Sequence, residues 1–118
     1  MLKSQQQGIE SLRMLQGRGY TYRLESYASA LSELSVRAYK ADASGYRIVF
    51  QTTFYIQMAT DWERGDFQLA SPQEHEDLMN RLRCSATQKE QMLLFTVSPS
   101  TNPETFLLCH KVLLSQLP

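Results

Sequence analysis

Residues 46–58 read Tyr46-Arg47-Ile48-Val49-Phe50-Gln51-Thr52-Thr53-Phe54-Tyr55-Ile56-Gln57-Met58. Tyr46, Ile48, Phe50, Phe54, Ile56 and Met58 fall on every second position, and Thr52 alone interrupts the apolar row. Arg47, Gln51, Thr53, Tyr55 and Gln57 take alternate sites. A period of two means an extended strand with one face buried and the other largely wet. The stretch therefore predicts a mostly antiparallel sheet with one solvated side. It does not name a chemistry.

Upstream, the turn-like Asp42-Ala43-Ser44-Gly45 directly precedes this strand, which favours a hairpin with residues 33–41 as its first arm. Residues 27–41 carry a mixed signal. Tyr27, Leu31, Leu34 and Ala38 would share a helical face, while Leu34, Val36 and Ala38 would share a strand face; the strand is preferred. Tyr20, Tyr22 and Leu24 alternate with Thr21, Arg23 and Glu25 as a further strand. At the start, Ser4-Gln5-Gln6-Gln7 resembles a capping box, Ile9, Leu12 and Leu15 repeat at helical spacing, and Gly17 and Gly19 end the run. That is a short amphipathic helix.

Downstream, Ala59 to Asp66 reads as a polar turn holding the single Trp, and Phe67 and Leu69 as a short returning strand. Ser71-Pro72-Gln73-Glu74 is a strong helix start: an N-cap, a first-position proline and a capping-box glutamate. Leu78, Met79 and Leu82 supply its buried stripe, with the end near Arg83. Met92 to Val97 reads as a buried strand. In residues 103–116, Asn102-Pro103-Glu104 looks like a helix start, and Phe106, Cys109, His110 and Leu113 follow at helical spacing. A buried strand would look almost as apolar; helix is preferred. The expectation is one α+β domain over residues 1–118. It has a mostly antiparallel sheet of about four to five strands, an N-terminal helix, and one or two further helices packed on one side.

Composition bounds the function. A chain of 118 residues with 42% apolar and 20% charged residues is ordinary globular material. Apolar runs are too short to span a bilayer, and the N-terminus lacks the apolar core of a secretory signal. With two cysteines, a cytoplasmic location with reduced thiols is expected. Net charge is zero, but residues 1–59 hold seven Lys/Arg and four Asp/Glu, whereas residues 60–118 hold five and eight. Arg13, Arg18 and Arg23 form no dense cluster, so no nucleic-acid or membrane partner is expected.

The chemistry-bearing residues are sparse. His75, Cys84, Cys109 and His110 lack the short paired spacing of a zinc site, and no cofactor or metal is expected. No glycine-rich elbow accompanies the cysteines, which argues against a thiol nucleophile. His75 shares a helical face with Leu78, Met79 and Leu82, and a half-buried histidine bonded to a backbone carbonyl explains it best. Arg64-Gly65-Asp66 spells an adhesion tripeptide that carries no weight without secretion signals. Tyr55, Trp62 and Phe67, with the acids Asp61, Glu63 and Asp66, are the candidate contact surface. His75, Cys109 and His110 are the candidate pocket residues. The expected function is a small cytosolic interaction or regulatory domain, non-catalytic and self-associating through its sheet. The alternative is a small-molecule-binding domain or enzyme with a pocket between sheet and helices.

Overall fold

The computed structural model describes residues 2–41 and 43–118, with the backbone alone at Ala43 and Ser44. Helix α1 (Lys3–Leu15) is followed by β1 (Thr21–Ala28), β2 (Glu33–Lys40), β3 (Ala43–Gln51), β4 (Tyr55–Gln57), β5 (Asp61–Trp62) and β6 (Asp66–Leu69). Then come α2 (Pro72–Arg81), α3 (Ala86–Gln91), β7 (Leu93–Ser98), β8 (Phe106–Cys109) and β9 (Lys111–Gln116). Asp42 of the expected hairpin turn lies outside the described residues. The two arms, β2 and β3, pair as expected.

The strands make two antiparallel sheets, ordered β5-β1-β2-β3-β9 and β4-β8-β7-β6, where one had been expected. The alternating row over 46–58 runs through the corner between them. Thr52, its one polar interruption, takes a positive φ of 53°. Thr53 is buried; its Oγ1 donates to the Phe50 carbonyl and its N–H donates to the Ser32 carbonyl. Before the corner, Ile48 and Phe50 face inward. Beyond it Phe54, expected inside, is 51% exposed. The partner path bends at His110, whose N–H donates to the Gln51 carbonyl, so β3–β4 and β9–β8 turn the corner side by side. Strands that change sheet at a bend are a usual way to build such corners.

Residues 103–116 form β8 and β9, which corrects the helix expected there. Leu107, Leu108 and Cys109 are all fully buried, because β8 is covered on both faces. A doubly covered strand loses its alternation, and its apolar run then matches helical spacing equally well.

The inner faces of both sheets meet in one core, where Phe50 lies 5.1 Å from Phe67 and 5.9 Å from Phe95, ring centre to ring centre. Helix α1 closes one side with Ile9, Leu12 and Leu15, against β9 and β6. Gly8 permits this close approach, since a Cβ there would lie 2.5 Å from the Val112 carbonyl oxygen. The capping box expected at Ser4–Gln7 is not used. Leu2 stands at the N-cap, and Gln5 Oε1 accepts from its backbone N–H. Helix α2 starts at Ser71 with both capping-box bonds in place. It sets Leu78 and Met79 on the outer face of the second sheet, over Leu94 and Leu108. Helix α3, not anticipated, is announced by a similar signal, Ser85 bonded to Gln88.

Candidate interaction surface

The contact residues expected from the sequence divide into two groups. Trp62 is 8% exposed and Phe67 less, so both belong to the core and neither is available for contact. Trp62 stacks on Tyr22 at 5.5 Å and meets Phe67 edge-on at 5.4 Å, and its Nε1–H donates to the Gly65 carbonyl at 2.8 Å. The physical reason is β5, whose pairing with β1 turns the Trp62 ring into the space between the sheets. Asp66 is also committed internally. It accepts from the Tyr22 hydroxyl at 2.7 Å and from the Gly17 N–H at 3.0 Å. Burial first, and the Asp66 hydrogen bond second, push the Tyr22 phenol well above its ordinary value. Asp61, Glu63 and Tyr55 are exposed. Tyr55, on the edge strand of the second sheet, stacks on Phe106 at 5.8 Å, and Phe54 is exposed just before that strand.

The candidate pocket residues do not line a common cavity. His75 Nε2–H donates to the Met92 carbonyl at 2.9 Å, and His110 Nδ1–H to the Gln91 carbonyl at 3.2 Å. A carbonyl only accepts, so each bond fixes the protonated ring nitrogen. Gln5, almost wholly buried, donates through Nε2 to the Gln91 and His110 carbonyls, both at 2.7 Å. The end of α3 would otherwise leave its last carbonyls unpaired. Both histidines and Gln5 satisfy backbone here. Cys109 is sealed in the core, and burial drives its thiol far above the usual range. An open cleft of about 310 Å³ lies beside His75, but neither Cys109 nor His110 lines it. Among the described residues, no three His, Cys, Asp or Glu side chains gather as metal ligands, and no helix is long and apolar enough to cross a membrane.

What the sequence reading missed is the outer face of the first sheet. Arg23 pairs with Arg37, and Arg37 with Arg47, directly across three adjacent strands. Asp61 extends the row at one end and Ser115 at the other. All five side chains are exposed. Like charges directly opposite each other on a sheet are destabilising. Arg47 Nε is relieved by Glu25 Oε1 at 3.1 Å, and Arg23 lies over the Tyr39 ring at 5.8 Å. Among the described residues, Arg37 makes no side-chain hydrogen bond or ion pair. On the same face the next row holds Val49 opposite Leu113, the latter 42% exposed. A cleft of about 510 Å³ opens among Arg23, Glu25, Arg37, Tyr39, Lys40 and Gly45.

A signal for this surface existed in the chain. Each arginine sits between apolar neighbours, as Tyr22-Arg23-Leu24, Val36-Arg37-Ala38 and Tyr46-Arg47-Ile48. That places each at a wet position of its strand, and a hairpin turn near residue 42 brings Arg37 opposite Arg47. Set against known proteins, the chain matches no family model, no curated protein and no solved structure.

Proposed function

We propose that this chain is a non-catalytic protein-interaction domain that docks a partner through the uncovered outer face of its first sheet. The observation that carries the reading is the row of three exposed arginines, Arg23, Arg37 and Arg47, with Val49 and Leu113 beside it. Such a row costs the isolated fold energy, and an opposing surface of negative charge would recover it. The interior supports the same reading. It is filled by side chains from both sheets and α1, and among the described residues every buried side-chain nitrogen and oxygen is hydrogen-bonded. A twofold axis through this row would set arginines against arginines, which favours an unlike chain as the partner.

A photo-cross-linking residue at Ser35, in the middle of this face, is the direct test in cells that make the protein. It should yield a discrete protein adduct that the same residue at Gln73, on exposed α2, does not. Adducts of equal yield from both positions, or none from Ser35, overturn the reading.

Self-association retains one site of its own. Phe54 and Tyr55 are exposed at β4, a free sheet edge, and unpaired strand edges invite pairing with another chain. Sedimentation velocity of a Phe54→Ser/Tyr55→Ser variant tests it. Association through β4 predicts a smaller species than the parent chain, and identical sedimentation removes it.

A further inference from the structure

We infer that the partner presents an acidic α-helix, laid across the strands of the first sheet with its carboxylates over Arg23, Arg37 and Arg47. This rests on the reading of that face as a protein-docking surface and names what docks. Neighbouring strands lie ~4.8 Å apart, so the three arginines span roughly 10 Å along a line perpendicular to the strands. Carboxylates at positions i, i+4 and i+7 of a helix cover about 10 Å at 1.5 Å per residue and share one face. Three same-face carboxylates of an extended peptide would cover about 13 Å and overshoot the row. The guanidinium fork is suited to carboxylates, and the face already holds one such pair, Arg47 with Glu25.

The flanks restrict the partner further. Asp61 stands at the β5 end of the row, opposite Arg23. A helix that continues past Arg23 meets a carboxylate and gains from a Lys or Arg one turn beyond its acids. Glu25, at the irregularity of β1, reaches the same face through its pair with Arg47. These two acids oppose a uniform polyanion such as a nucleic-acid backbone. On the other side, Val49 and Leu113 offer an apolar shelf for a neighbouring aliphatic residue of the helix. A second copy of this chain fits poorly. Its own acidic helix α2 aligns Glu74 and Asp77 with Arg81, which would set a cation over the third arginine.

The probe is a synthetic Ala-based helix of about 18 residues. It carries one Lys, then three Glu at successive four-, four- and three-residue steps, with Leu beside them. A control of identical composition distributes the Glu residues around the helix, and a short DNA duplex serves as a polyanion. Fluorescence anisotropy at about 0.15 M salt reads the affinities. The striped helix should bind about tenfold tighter than either competitor. Arg37→Glu should weaken it about tenfold, with Arg37→Thr as a milder second variant, while Arg18→Glu in the exposed α1–β1 loop should leave it within about twofold. Equal binding of striped and scrambled helices, tighter binding of the duplex, or equal losses in the Arg37 and Arg18 variants overturns the inference. No binding of the striped helix, together with a discrete adduct at Ser35, also overturns it and leaves the broader docking reading standing.

Discussion

The two sheets treat their outer faces in opposite ways. Leu94 and Leu108 on the second sheet lie beneath Leu78 and Met79 of α2, sealed from water. Val49 and Leu113 hold comparable outward positions on the first sheet, with three arginines for neighbours, and among the described residues no helix seals Leu113, which is 42% exposed beside α1. The lesson concerns where energy is invested. One face completes the fold, and the other is held in a state that burial and charge pairing have not relaxed. The charge split along the chain turns into this spatial division. The basic first half supplies β1, β2 and β3, and the acidic second half supplies α2 and most of the second sheet.

The sharpest way to break the comparison is to truncate a leucine on each outer face. Leu108→Ala should cost about 2–5 kcal/mol, as expected for a sealed core position. Leu113→Ala should change stability by no more than ~0.5 kcal/mol. Urea denaturation midpoints read both, and equal losses would mean that the first sheet's face is covered too.

The joint between the sheets can be tested through Tyr22 on β1, whose hydroxyl donates to Asp66 on β6. Tyr22→Phe should cost roughly 1.5–3 kcal/mol near neutral pH, as for a hydrogen bond to a charged acceptor. Its folded phenol titrates well above the ordinary value near 10. The bond's contribution is thus fully present below pH ~10 and is lost as pH rises beyond it. Stability of the parent chain should fall above that pH, and more shallowly in Tyr22→Phe. Cys109, raised by burial, steepens the alkaline fall in both proteins alike. Parallel curves would show that the phenol plays no part in joining the sheets.

Helix α1 closes one side of the core, and Gly8→Ala asks how tightly. Helix propensity alone predicts a gain of about 1 kcal/mol. The new Cβ would press on the Val112 backbone, and overpacking of this kind costs ~1–3 kcal/mol, so a net loss is expected in thermal unfolding. A higher melting temperature would show that β9 yields readily.

The smallest effect has the opposite sign. Arg37→Thr removes a like-charge contact on each side and places a good strand former at an exposed site, which should raise stability by about 0.2–1 kcal/mol. A stability gain combined with weaker binding of the acidic helix would separate docking from folding. A loss of stability would mean that the arginines pack the fold and are not a strained surface.

Local signals in the chain carried much of this architecture. Ser71-Pro72-Gln73-Glu74 starts α2, the alternation around Tyr22 and Ile48 marks β1 and β3, and His75 does bond to a backbone carbonyl. Long-range facts were not legible. The corner at Thr52 appears in sequence as one polar residue in an apolar row, and nothing local says that the chain changes sheet there. Residues 106–109 lost their alternation because α2 covers one side and the core the other. Trp62 looked like a surface aromatic because acids surround it in sequence, although a two-residue strand carries its ring inward. The arginine row required registers across three strands, whereas charge counting along the chain saw only scattered cations.

Radical footprinting of the isolated chain at low concentration tests the central asymmetry most directly. Leu113 and Tyr39 should be modified readily. Met79, intrinsically one of the most reactive side chains yet fully buried on the sheet-facing side of α2, should be protected relative to exposed Met14. Protection of Leu113 in the monomer, or oxidation of Met79 at the rate of Met14, would contradict the account.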